Sequence, residues 1–351
     1  MKILIIGNGF DLAHGLPTKY TDFLKICSIA KTAKVSWVDN VPSVSCGYSE
    51  KENKVLLTIF TQALGMELYE EFQKKIRNCF WIEHFLEKES IIGGTWLNFE
   101  DEIKTVVESV IRDRDTTKYE VVGGLTNRAL NAYCSANSFY QNKKTFKDLF
   151  QLMMTELHQF TRALEIYMHG YVATIEVTQI EFFQRTYVDK VLSFNYTDTY
   201  TSIYDLTKEC CYIHGETNKD KKIPCNMVLG FDDHYMDGVT VVPELVPFEK
   251  YCQRIVNRTD NQYFEWLEKM QSEEENTIHI YGHSLGPADG DVLKQFIQAS
   301  NTKTIVYCRD EFDRAEKIKN LAVILGPDKL IQLTGGMNPL IDFKEIKGKA
   351  K

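Results

Sequence analysis

The chain opens on Ile3-Leu4-Ile5-Ile6, an apolar run closed by Gly7. Such a run reads as a strand buried on both faces. From about Thr21 the pattern changes to apolar residues at three- and four-residue spacing. It predicts helices over Thr21–Ile26, Lys54–Cys79 and Trp96–Ile111, with Thr18 or Thr21 capping the first. The longest predicted helix spans Lys143–Met168, where Phe146, Leu149, Phe150, Met153, Leu157 and Phe160 form one core-packing stripe. After Val188 short apolar runs return at Lys190–Phe194, Cys211–Ile213, Met227–Leu229, Thr277–Tyr281, Thr304–Cys308 and Leu330–Leu333. Helical patterns fall between several of them, at Glu249–Met270, Gly290–Ala299 and Glu311–Leu321. This alternation predicts an α/β fold, a three-layer sandwich around a mainly parallel sheet. A large helical insertion follows the first strand. Residues 1–20 and 189–351 are then one nucleotide-binding domain, and residues 21–188 the insertion. The lysine-rich stretch from Lys344 to Lys351 predicts a frayed tail.

Composition narrows the classes. With 44% hydrophobic and 26% charged residues the chain can bury a core, which excludes a disordered protein. A net charge of −8 removes any overall attraction to nucleic-acid phosphates or anionic lipid. A local basic groove is still compatible with that total, so nucleic acid stays open as a partner. The nine cysteines are odd in number and contain no C-x-x-C pair. Thiols in a reducing cytoplasm are expected, rather than a zinc module or disulfide framework, and no metal is expected. The apolar start is too short for a signal peptide, and no run approaches the ~18–20 apolar residues of a membrane span. A cytoplasmic protein with no membrane partner is the expectation.

The candidate chemistry gathers where predicted strands end. Gly7-Asn8-Gly9-Phe10-Asp11 follows the first, and His14-Gly15 continues the loop to Pro17-Thr18. A glycine turn there lets backbone N–H groups approach a phosphate. The third glycine of the dinucleotide fingerprint would fall at Leu12, so the full pattern fails. Asp11 is suited to a ribose hydroxyl, to orienting a water, or to capping the next helix. Asn195, in Ser193-Phe194-Asn195-Tyr196-Thr197-Asp198, can donate and accept at once, as a ribose or carboxamide edge requires; closing a turn is the alternative. His214-Gly215 follows the next strand, where the imidazole could act as a general base or be structural, with Gly215 leaving room for a ligand. Gly282-His283-Ser284-Leu285-Gly286 mimics a G-x-S-x-G nucleophile elbow, but Pro287-Ala288-Asp289-Gly290 intervenes before any helix. It reads instead as a loop lining a nucleotide, with Asp289 capping the helix that follows. Glu100, in the acidic first turn of its helix, reads as a capping or solvated residue that could reach the pocket.

The stretch Gly7-Asn8-Gly9-Phe10-Asp11-Leu12-Ala13-His14-Gly15-Leu16-Pro17-Thr18-x-Tyr20-x-Asp22-Phe23 closely resembles the N-terminal signature of the AbiH family, bacterial proteins of abortive infection. In order, Gly7–Asp11, Asn195–Thr197, His214–Gly215 and Gly282–Asp289 also resemble the motifs of the sirtuin-like, Rossmann-like NAD-binding fold. That likeness implies NAD as ligand or substrate. Its nucleotide contacts would be Gly7, Asn8, Gly9, Phe10, Asp11, His14, Asn195, Tyr196, Gly282, His283, Ser284 and Asp289. It also implies an NAD glycohydrolase, a hydrolase in which Asn195 and His214 assist cleavage of the nicotinamide–ribose bond; Asn8 and Asp11 depart from the sirtuin pattern, and Asp11 could supply negative charge there. The four-cysteine module of protein deacylases is missing, which argues against acyl-lysine. A nuclease-like or nucleotide-cleaving toxin and a non-catalytic nucleotide sensor are the alternative readings. An abortive-infection effector needs a trigger, implying a phage-derived one, and the long helices are candidates for homo-oligomer contacts.

Overall fold

The computed structural model describes residues 1–45, 51–92, 98–117, 120–217, 226–231, 242–259 and 261–346. Its strands are β1 (Lys2–Ile6), β2 (Lys34–Val38), β3 (Val41–Ser45), β4 (Lys190–Ser193), β5 (Cys210–Tyr212), β6 (Asn276–Tyr281), β7 (Thr302–Cys308) and β8 (Ile341–Glu345). β2 and β3 pair with each other as an antiparallel hairpin. The other six form one sheet in the order β5-β4-β1-β6-β7-β8, with every pairing parallel. Counted along the chain, that order is 3-2-1-4-5-6, so the winding reverses between β1 and β6. Loops leaving the carboxyl ends of two such strands part to opposite sides, and ligands of open α/β sheets bind in the resulting crevice.

Between β1 and β4 run α1 (Asn8–Ala13), α2 (Tyr20–Thr32), α3 (Lys51–Ile76), α4 (Phe80–Ile92), α5 (Phe99–Thr116), α6 (Arg128–Ala136), α7 (Phe146–Gly170) and α8 (Glu181–Arg185). α9 (Thr199–Ile203), α10 (Lys250–Asn257), α11 (Tyr263–Ser272), α12 (Gly290–Ile297), α13 (Glu311–Leu325) and α14 (Pro327–Thr334) follow. Side chains alternate across β1. Ile3 and Ile5 face Trp266 and Met270 of α11, Phe296 of α12 and Leu321 of α13. Leu4 and Ile6 face Phe10 of α1, Phe183 of α8 and Tyr200 of α9. Covering both faces is what an all-parallel sheet with continuous apolar strands requires. A third core joins α2 to α7 through Phe23, Phe60, Phe72, Trp81, Phe99 and Phe160. It also takes in Leu229, Leu245 and Phe248, so the helical layer packs on chain from beyond residue 188. Among the described residues no helix is long and apolar enough to cross a membrane, and no cysteine is in a disulfide.

Several expectations are revised. The stretch after Gly7 is not a loop: α1 begins at Asn8, and His14 closes it. Neither Thr18 nor Thr21 caps α2, which starts at Tyr20. Thr18 Oγ1 donates to Asn8 Oδ1 (2.6 Å), and Asp22 accepts from the Lys19 N–H instead. Met227–Leu229 makes no strand, because the Gln253 side chain takes up both backbone groups of Leu229. Leu330–Leu333 lies in α14, opened by Gly326-Pro327; its apolar residues at three-residue spacing suit a helix face. The sixth strand is β8, which holds Lys344 in the sheet rather than in a frayed tail. Glu249–Met270 is broken at Arg258, in the left-handed conformation (φ 52°). Helices α4 and α6 and the β2–β3 hairpin add to the expected elements. Trp96, Cys46 and Cys225 lie outside the described residues.

Candidate functional site

Asp11, Asn195, His214 and Gly282–Asp289 all follow the carboxyl ends of strands that are neighbours in the sheet, β1, β4, β5 and β6. Backbone bonds hold these ends in step. The Phe194 N–H donates to Ile6 O (2.9 Å) and the Ile213 N–H to Ser193 O (2.9 Å).

The two glycine segments meet each other. The Gly9 N–H donates to Gly282 O (2.7 Å) and the Gly7 N–H to Tyr281 O (3.3 Å). A Cβ on Gly7 would fall 2.8 Å from His283 Cα, and one on Gly9 2.8 Å from Gly282 Cα. These glycines therefore serve a backbone-to-backbone contact, and both N–H groups are occupied by protein carbonyls. Gly282 is the most constrained. Its φ of +66° disfavours any side chain, and a Cβ would sit 2.2 Å from Phe10 N. Gly282→Ala is expected to lower stability by more than ~2 kcal/mol, read as a lower denaturant midpoint; an unchanged midpoint would contradict this packing. The space at Gly215 is likewise filled, since its Cβ would meet Asn226 O at 2.2 Å.

Phe10 and His14 belong to the core. Phe10 is fully buried among Phe183, Tyr200, Tyr204 and Tyr281. His14 places Nδ1 on Phe10 O (2.7 Å) and accepts at Nε2 from the Tyr204 hydroxyl (2.7 Å), which itself accepts the Ile180 N–H. That chain assigns His14 as neutral, in line with the lowering of its pKa by burial. Tyr196 is also buried, its hydroxyl donating to Val228 O (2.8 Å). Ser284 is exposed at the rim, where its Oγ accepts the Gly286 N–H (3.3 Å).

Asp11 is 1% exposed. Its Oδ2 accepts from Thr197 Oγ1 (2.6 Å), which in turn accepts from Thr199 Oγ1 (3.0 Å). Burial pushes its pKa up to about 6, against the opposing effect of Thr197, Thr199 and Asn195. The Asn195 amide lies near enough to favour the carboxylate, yet neither Asn195 Nδ2 nor Asp11 Oδ1 completes a hydrogen bond. Thr197 and Thr199 also border a cavity of about 390 Å³ between Met168, Val172 and the start of α9.

His214 is the other buried centre. Its Nε2 lies 2.8 Å from Asp289 Oδ1, and its ring packs edge-on to Phe194, which also touches His283. Asp289 also faces His283 Nε2 (3.3 Å) and Lys250 Nζ (2.9 Å). Leu285 N–H donates to His283 Nδ1 (2.8 Å), so the His283 ring proton sits on Nε2, towards Asp289. Asp289 thus stands at the start of α12 without capping it; its carboxylate turns inward. Burial alone would raise the Asp289 pKa, but Lys250 and then His214 hold it well below the usual range. Facing an ionised carboxylate, His214 Nε2 carries the proton and Nδ1 is bare. Burial, and next the Lys250 charge, depress the His214 pKa to about 4, so the ring is neutral at neutral pH.

Lys250 is not foreshadowed by any motif. It is 1% exposed and pairs with Asp289 and with Glu100 Oε1 (2.7 Å). Glu100 comes from the first turn of α5, where Asn98 caps its N–H and Phe99 stacks between Tyr20 and Phe85. Rather than capping or facing solvent, it enters the site. Burial pushes its pKa up to about 7, opposed by Lys250 and reinforced by Asp289.

A family model described as "Bacteriophage abortive infection AbiH" matches residues 3–308. The chain belongs to the AbiH family. No curated protein and no solved structure matches it. Every candidate residue of this AbiH chain, from Gly7 to Asp289, lies within the matched region, and β8 lies beyond it. The family ties the protein to abortive infection by bacteriophage.

Proposed function

We propose that this AbiH protein binds an NAD-type nucleotide at the carboxyl ends of β1, β4, β5 and β6 and hydrolyses its nicotinamide–ribose bond. One observation carries the reading. Among the described residues, Asp11 Oδ1, Asn195 Nδ2 and His214 Nδ1 are each buried with no hydrogen-bond partner. An unmade buried hydrogen bond costs ~1–3 kcal/mol. The Asp11 carboxylate and the Asn195 amide lie close without closing a bond, and with the His214 lone pair after the next strand they suit a site completed by a polar ligand. The 3-2-1-4-5-6 strand order is that of doubly wound, Rossmann-type dinucleotide-binding sheets, and the sirtuin-like order of the motifs supports the same ligand.

In the reaction, the bond from ribose C1 to the nicotinamide nitrogen breaks and its electron pair leaves with nicotinamide. The ribose carries the positive charge of an oxocarbenium-like state, as in glycoside cleavage. The Asp11 carboxylate favours that charge electrostatically. Asn195 orients the nicotinamide riboside. Water adds at C1, and His214 Nδ1, fixed in tautomer by Asp289, takes its proton. The products are nicotinamide, ADP-ribose and a proton. Incubating the purified protein with NAD and quantifying nicotinamide tests the reading, with phage-infected lysate added as a source of activator. Tight NAD binding without nicotinamide release would favour the sensor; no binding would sink both.

Burying Asp11 carries a stability signature. Its folded pKa (about 6) lies above the unfolded value (3.8), so the folded state holds an extra proton between them. Ionisation therefore destabilises the fold by ~3 kcal/mol above pH 6, and that cost vanishes as pH falls towards 4. Asp11→Asn is expected to raise the melting temperature at pH 8, with the gain closing near pH 4, while turnover is lost. Melts across that range check it; a variant less stable at pH 8 would contradict the assignment.

A further inference from the structure

Beyond the residues assigned above, we infer that Lys250 and Glu100 are positioning residues: a buried relay from Glu100 through Lys250 to Asp289 holds the His214 base neutral and correctly turned. It rests on the reading of His214 as the base, and it makes the helical layer part of the active centre. The relay crosses three segments: Glu100 on α5, Lys250 on α10, and Asp289 in the turn before α12. Its links are 2.7 and 2.9 Å, ending on the 2.8 Å contact from Asp289 Oδ1 to His214 Nε2.

Lys250 and His214 share a single oxygen, Asp289 Oδ1. Two cations on one carboxylate oxygen would repel, so while Lys250 is in place His214 stays uncharged and only lends its Nε2–H. Its Nδ1 is then free to accept a proton. Without Lys250, Asp289 would draw a second proton onto His214 and block the base. Arg254 adds positive charge in the same sense. Among the described residues, further groups acting on this centre are His283, whose Nε2–H points to the second Asp289 oxygen, the Tyr20 and Tyr196 hydroxyls, and Asp101 beside Glu100. Glu100 balances Lys250 from the side away from His214. Because it stands on α5, any displacement of the helical layer acts on the base through a charge rather than through substrate contact.

The test uses Lys250→Met/Glu100→Gln, which removes one cation and one carboxylate together and so keeps the net charge of the centre, with Asp289 left to His214 and His283, beside Lys250→Arg, which restores the cation. His214 is followed by NMR titration in the full-length protein, a readout independent of turnover. In the double variant its pKa should rise by more than about one unit towards the ordinary imidazole value. In Lys250→Arg it should stay low. Nicotinamide release should fall more steeply between pH 8.5 and 6.5 in the double variant than in the wild type, through kcat, with KM held within about threefold. An unchanged His214 titration in the double variant overturns the relay. Wild-type protein that releases no nicotinamide refutes the proposed hydrolysis instead, and the titration still decides the relay.

Discussion

Under the proposed hydrolysis, His214→Ala should lower nicotinamide release from NAD by at least about a hundredfold, the lower end of what a positioned acid–base group contributes. The loss should fall on kcat, because in the proposed step Nδ1 takes its proton only as water attacks. The imidazole is otherwise spent on one bond to Asp289, so its removal leaves Asp289 still paired with Lys250 and His283. The fold should therefore survive, and a thermal melt within a few degrees of wild type guards against trivial inactivation. In cells, toxicity and NAD depletion should disappear together. Toxicity that persists without NAD loss would move the function from hydrolysis to signalling by a bound nucleotide.

Lys250→Met destabilises the protein by ~3–5 kcal/mol, the usual penalty for breaking a buried ion pair from one side. Size and apolar stem are kept, so packing changes little; what changes is that Asp289 and Glu100 face each other without a cation. Burial lowers the Lys250 pKa, but the two carboxylates more than offset this and hold it above its ordinary value. The cost should shrink in acid, as Glu100 (pKa about 7 with Lys250 present) takes up a proton and removes one stranded charge. Denaturant unfolding at pH 8 and pH 5.5 measures both effects. A variant as stable as wild type at pH 8 would mean that water reaches the centre and screens it.

Much of this was legible in local pattern. The apolar run Ile3–Ile6, the stripe of α7 and the strand-end motifs around Asn195, His214 and Asp289 depend on spacing alone, and spacing is read from neighbours in sequence. Edges were less legible. Leu330–Leu333 is apolar at three of four positions and Ile341–Glu345 at only two of five, yet packing against β7 puts the less apolar one in the sheet. A short run chooses helix or strand by its tertiary partner, since its own propensity is weak.

The site divides in the same way. Asp11, Asn195 and His214 stand next to glycines and strand ends, so their types and positions mark them. Lys250 sits in an ordinary amphipathic helix, and Glu100 in an acidic first turn that helix electrostatics alone would explain. Nothing near either residue signals a pair between positions 150 residues apart in the chain. Even the glycines after β1 changed meaning: a glycine turn at a strand end suggested a phosphate cradle, and the fold set them against a second glycine loop. Local spacing dictates the strand ends and what chemistry they can offer. Which charges meet there, and hence which nitrogen of His214 is free to act, is decided by long-range packing, because electrostatics inside a protein depends on distance in space.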